Sequence, residues 1–158
     1  MLLINFSLNS KFSVDNIPKS VQGAGKILNL ICKNKYFVNA QLLYSKYQYL
    51  LNERNIAQQY MENILLTDPK NVDCYTLYIL IMIDNKDYVK AKELINDAFI
   101  NNLQESRSHA YFLMAKSRCE MSLNEFETSY KTLQEAIVVF ENSLNDLNSC
   151  NIIYKFSC

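Results

Sequence analysis

Three stretches of this chain repeat one order of apolar and polar positions. In the second stretch Tyr88, Ala91, Ile95 and Ala98 step by 3, 4 and 3 residues, and in the third Phe126, Ser129, Leu133 and Ala136 do the same. Steps of three and four return a side chain to one face of an α-helix, so each quartet predicts a helix on which large and small residues alternate. Residues 75–83 are apolar almost throughout and carry the β-propensity of a buried strand. No other segment supplies a strand to pair with them, and a helix covered on both flanks is also apolar all round, so the run predicts a helix. The polar stretches 52–55 and 84–87 predict tight turns. Pro69 follows a helix that it cannot continue. Upstream, Val21, Ala24, Leu28 and Ile31 predict one more helix, against the helix-weakening Gly23 and Gly25.

The stretches share a register. Tyr44 to Tyr78, Ala57 to Ala91 and Met61 to Ile95 are each 34 residues apart. Tyr75 to Tyr111 is 36 and Ala91 to Ser129 is 38, which assigns two extra residues to the connection 101–108 and two to the region 119–123. A fixed period of paired helices predicts an all-α fold of stacked antiparallel helical hairpins, a short α-solenoid with right-handed superhelical twist. The domain organisation is then a tail (1–19), an array (20–147) and a second tail (148–158). Within the array, a half repeat (20–35) precedes repeats at about 38–71, 72–107 and 108–140. Ala57, Ala91 and Ser129, with Ala98 and Ala136 two turns on, are the small residues that let paired helices approach. Tyr75, Tyr88, Tyr111, Phe126, Met61 and Leu133 are expected to fill the gaps, each worth roughly 1.5–3 kcal/mol if fully buried. Neither end has the polar face that caps a solenoid, so the chain reads as a piece of a longer array.

A 34-residue helical period with residues 69–75 (PKNVDCY) and 85–91 (NKDYVKA) resembles the tetratricopeptide repeat (TPR). The lengthened connection within residues 95–116, followed by residues 130–136 (YKTLQEA), resembles the tetratricopeptide repeat protein 21 family. That family is a large all-TPR subunit of intraflagellar transport complex A, which carries retrograde cargo in cilia. The resemblance spans about residues 38–140 and implies a protein-binding scaffold, partners among complex A subunits, and a place in the cilium or flagellum. It transfers no functional residue, because such a role is spread over contact surfaces.

Composition narrows the alternatives. Sixteen basic residues balance sixteen acidic ones, which removes the cationic excess that nucleic acid or an anionic membrane would require. The longest apolar run, residues 77–83, is far short of the ~20 needed to span a bilayer. The opening run Met1-Leu2-Leu3-Ile4 has no basic start and is interrupted by Asn5, so a secretory signal is weakly supported and the sequon at Asn5 carries little meaning. The five cysteines, Cys32, Cys74, Cys119, Cys150 and Cys158, form no C-x-x-C pair and are odd in number. Reduced thiols in a cytoplasmic protein are expected, with neither disulfide framework nor zinc site.

Candidate chemistry is sparse. Residues 23–26 (GAGK) fall short of a phosphate-binding loop, with Ser20 where the first glycine belongs and Ile27 where a hydroxyl belongs. His109 is the only histidine, and Ser106 and Ser108 beside it sit in a polar linker. A helix-entry role is expected for it, not a triad. No catalytic, cofactor or metal site is expected, and no small-molecule substrate.

In the resembled repeat the first helix of each hairpin lines a concave face through its second, fifth, ninth and twelfth positions. These are read here as Leu42 and Lys46, then Asp73, Thr76, Leu80 and Ile83, then His109, Phe112 and Lys116. The basic cluster that clamps chaperone C-terminal carboxylates is absent from these positions. They form either a groove for a peptide or helix or the core of a tightly wound solenoid. Two functions compete: a scaffold segment of an intraflagellar transport subunit, and a free-standing adaptor holding an amphipathic helix. A third reading, an enzyme regulated through the repeats, needs a catalytic domain that this sequence does not supply.

Overall fold

The computed structural model describes residues 19–34 and 37–156, and the side chains of residues 22–34, 37–102, 104–106 and 108–144. The expectations placed on residues 1–18, the sequon included, and on Cys158 lie outside them. Eight helices are described: α1 (Lys19–Ile31), α2 (Val38–Leu50), α3 (Arg54–Thr67), α4 (Val72–Asp84), α5 (Tyr88–Asn101), α6 (Leu103–Arg107), α7 (Ala110–Ser122) and α8 (Phe126–Phe156). No strand occurs among the described residues, and residues 75–83 lie within α4. The chain divides into two compact units, Met1–Thr67 and Asp68–Cys158.

In the first unit α2 packs on both α1 and α3. Ala57, Met61 and Ile64 are the buried residues of α3. The Tyr60 ring meets Tyr44 edge-on at 5.0 Å. Gly25 explains itself here: a Cβ at this position would fall 2.3 Å from the Tyr47 ring, so glycine is what lets Tyr47 lie against α1. Gly23 has open space around it, and nothing in the structure calls for glycine there.

In the second unit α4 packs against α5 and α7, and α7 pairs with α8. Ten of the thirteen residues of α4 are buried, as its uniform apolarity predicts. Its start is capped by Asn71, whose side chain accepts the Cys74 N–H. Ala91 and Ala98 of α5 are fully buried, with Leu94 and Ile95 beside them. In the α7–α8 hairpin the close contact is polar. Ser117 and Ser129 lie hydroxyl to hydroxyl at 2.9 Å, and each hydroxyl is also within hydrogen-bonding distance of the other residue's backbone carbonyl.

The three hairpins share one turn. Asn52, Lys86 and Asn124 have φ of 64°, 62° and 62°. The next residue's N–H then reaches back to the carbonyl five residues earlier: Glu53 to Gln48, Asp87 to Met82 and Glu125 to Glu120, each at 2.9 Å. This is the left-handed helix termination that satisfies carbonyls left orphaned at the helix end. The predicted turn at 84–87 holds. The one at 52–55 is shorter than predicted, because α3 begins at Arg54.

The turns and caps also correct the repeat register. Lys86 to Asn124, the caps Asn71 to His109, and the helix starts Tyr88 to Phe126 are all 38 residues apart. All four extra residues of the third repeat therefore lie between α5 and α7, and none near 119–123. They build α6, anchored by Ser106, which is buried and donates its hydroxyl to the Ala98 carbonyl. The tail boundary moves too. α8 runs to Phe156, past the expected end of the array at residue 147.

Two substitutions follow from this packing. Ala91→Trp overpacks a fully buried helix contact and should lower the unfolding free energy by about 1–3 kcal/mol or more. Lys86→Gly relieves a non-glycine residue at positive φ and should change stability between neutral and a gain of about 1 kcal/mol, while Lys86→Ala stays within about 0.5 kcal/mol of the parent. Urea midpoints at constant slope check all three.

Candidate functional site

With the register fixed, the second, fifth, ninth and twelfth positions of α4 (Asp73, Thr76, Leu80 and Ile83) correspond to Tyr111, Met114, Arg118 and Met121 of α7. The 36-residue spacing used on the sequence had put His109, Phe112 and Lys116 there. The structure gives those three other places. His109 caps α7, its Nδ1 accepting the Phe112 N–H at 3.1 Å, and its Nε2 lies 3.3 Å from the Asp73 carboxylate. Phe112 is fully buried and meets the Phe99 ring of α5 edge-on at 5.4 Å. Lys116 is half-buried, its ammonium donating at 2.7 Å to both Glu120 and Thr132.

Among the remaining groove positions, Leu42 is buried and Lys46 half-buried. Thr76 is buried, with its hydroxyl donating to the Val72 carbonyl at 2.8 Å. Ile83 is buried, Leu80 half-buried and Asp73 exposed. Of the packing set, Ala57, Met61, Tyr75, Ala91, Ile95, Ala98, Ser129 and Ala136 are buried and Tyr88 is half-buried. Pro69 lies exposed in the turn before α4. Tyr111, Phe126 and Leu133, expected to fill gaps, are instead exposed at 61%, 64% and 38%. The reason is positional. Ser129, Thr132 and Ala136 form the buried side of α8, and Phe126 and Leu133 project from another side.

Two features escaped the sequence reading. Arg118 pairs with Asp84 at 2.9 Å, a partly buried bridge from α7 to α4 across 34 residues. Met114 and Met121 are exposed on α7. The signal for both was the cap pair Asn71 and His109. Histidine is not among the usual cap residues, so the 38-residue offset passed unread.

Chemically active groups are few. Neither serine beside His109 is poised as a nucleophile, since Ser106 donates to Ala98 and Ser108 to the Gln104 carbonyl. No cluster of three or more His, Cys, Asp or Glu capable of holding a metal occurs among the described residues. In the first unit a shallow cleft of about 560 Å³ is lined by Cys32, Lys33, Gln41, Tyr60, Asn63 and Thr67, among others. Cys32, Cys74 and Cys119 are buried free thiols. Burial pushes the Cys74 thiol up to about 12, with the nearby Asp68 and Asp73 carboxylates adding to the rise. Burial also raises Cys32 and Cys119. Thiols held protonated in this way are poor nucleophiles and poor metal ligands. Among the described residues, no helix is long and apolar enough to cross a membrane.

The site is thus a set of surfaces. The chain is built of antiparallel helical hairpins, the architecture of helical-repeat proteins, and this form is consistent with a protein–protein interaction scaffold. No protein-family model matches the sequence, and no curated protein matches it.

The thiol environment makes a pH prediction. Cys74 has an ordinary value of 9.0 and a folded value of about 12, so its neutral form favours the folded state. Its contribution is complete below pH 9 and is lost as the pH rises from there toward 12. Urea unfolding of the parent and of Cys74→Ala should therefore show the parent losing more stability over that range. Equal losses in the two proteins would contradict the assignment.

Proposed function

We propose that this chain is a tetratricopeptide-type segment of a protein-interaction scaffold, which acts by presenting helix surfaces and not by catalysing a reaction. The observation that carries the proposal is the repeated turn: one left-handed termination at residues 52, 86 and 124, on offsets of 34 and 38 residues. The 34-residue offset is the period of this repeat type. Within that class, we assign the chain to a subunit of intraflagellar transport complex A, acting in cilium assembly and retrograde transport. What supports the finer assignment is the resemblance at residues 95–116 and 130–136 and the lengthened connection that α6 occupies. The rival adaptor role draws on the exposed Tyr111, Met114 and Met121 of α7, a rim of the aromatic and methionine residues that protein interfaces favour.

Affinity capture of the full chain from ciliated cells tests the proposal. The expected result is recovery of complex A subunits with the parent and about tenfold less with Tyr111→Glu, the loss that a contact worth ~1.4 kcal/mol produces. Recovery of an unrelated protein through the same residue would transfer the chain to the adaptor role. Capture that Tyr111→Glu leaves unchanged, with no complex A subunit present, would overturn the scaffold assignment.

A further inference from the structure

α8 stands apart from the other helices. It has 31 residues, where none of the others exceeds 14. Its exposed large apolar residues are Phe126, Tyr130, Leu133, Ile137, Phe140 and Leu144, with Val138 alongside. The first six step by 4, 3, 4, 3 and 4 residues. That alternation has a mean period near 3.5, the spacing of a seam along which one helix receives another in left-handed packing. At 1.5 Å per residue the seam is roughly 27 Å long. It differs from the side of α8 that carries the buried Ser129, Thr132 and Ala136.

The preceding hairpin shows what such a face takes. Thirty-eight residues back, Phe126, Leu133 and Ile137 correspond to Tyr88, Ile95 and Phe99, which are buried or half-buried. Phe99 meets Phe112 of α7, and α7 packs on both α4 and α5. Met114 and Met121, exposed, correspond to Thr76 and Ile83, both buried. The α4–α5 hairpin thus has this face closed by a helix, and the α7–α8 hairpin presents it open.

Charge says which helix. Against α4 and α5, the α7 region is registered by two ion pairs, Arg118 with Asp84 and Lys92 with Glu125. At the positions of Asp84 and Lys92 the α7–α8 hairpin has Ser122 and Tyr130. No charged residue falls in the seam, so nothing in it demands a partner of complementary charge. A second copy matches it in length and spacing and brings no charge into the contact.

We propose that the α7–α8 face binds the same face of a second copy, so that two α8 helices lie along one another in an isologous dimer. The exposed parts of the six seam residues, with Met114 and Met121 beside them, supply several hundred Å² per copy, the scale of the ~800 Å² that a specific interface takes from each partner. This deepens the interaction-scaffold reading by assigning one of its surfaces to self-assembly.

Sedimentation equilibrium of the full chain over a wide concentration range tests it. The expected result is a dimer of the 18.4 kDa chain that Ile137→Glu converts to monomer, raising the dissociation constant at least tenfold without loss of helical circular dichroism. Leu144→Glu, further along the seam, does the same to a smaller degree and serves if Ile137→Glu fails to fold. Ile100→Glu, at an exposed site on α5 outside the seam, leaves the dimer intact. A parent chain that stays monomeric throughout overturns the proposal, as does a dimer that both seam variants leave unchanged. So does a monomer whose seam accepts only an unrelated amphipathic helix. Tyr111 lies outside the seam, so the capture experiment reports on the scaffold reading separately.

Discussion

Within each hairpin of this chain the second helix meets the first through residues no larger than serine at the points of closest approach. Ala57 and Ala91 are fully buried, and Ser129 nearly so. The rest of the packing depends on that proximity. It brings Met61 and Ile64 into one core and Leu94 and Ile95 into another. In the third hairpin the small residue is a serine, and the contact becomes a hydroxyl pair with Ser117. A buried hydroxyl costs stability unless it finds a partner, and here each serves as the other's. The same geometry is therefore reached by two chemistries, one apolar and one polar.

A second constraint sets the register. Each hairpin turns at a residue with positive φ, and no glycine serves: Asn, Lys and Asn stand there. Asparagine tolerates this conformation, while lysine adopts it at a cost that the surrounding helices sustain. Because the three turns are alike, they measure the repeat more accurately than side-chain matching does. Tyr75 and Tyr111 look equivalent by residue type, but Tyr75 is buried and Tyr111 exposed. The true counterpart of Tyr75 is Leu113, 38 residues on and equally buried.

The fold was legible for plain physical reasons. Helical steps such as Tyr88-Ala91-Ile95-Ala98, the break at Pro69 and the polar turn 84–87 are local signals, and local signals survive without an alignment. The groove was less legible because it depended on a register that one aromatic coincidence shifted by two residues, which placed the core residue Phe112 on a surface. The exposed side of α8 was only partly legible. Periodicity marks Phe126 and Leu133 as apolar positions on a helix, but whether they are covered depends on a neighbouring helix. The long-range pair Arg118 and Asp84 left no local trace at all.

The account makes α4 the inner helix of its unit, closed by α5 through small residues and by α7 through the Arg118 bridge. Residue-resolved amide hydrogen exchange in the native state tests that ordering most directly. The prediction is that α4 amides exchange slowest, together with those of α5 around residues 91–98, through one shared opening, while the five-residue α6 exchanges at least 100-fold faster. Amides of α4 exchanging as fast as those of α6, or opening independently of α5, would contradict it.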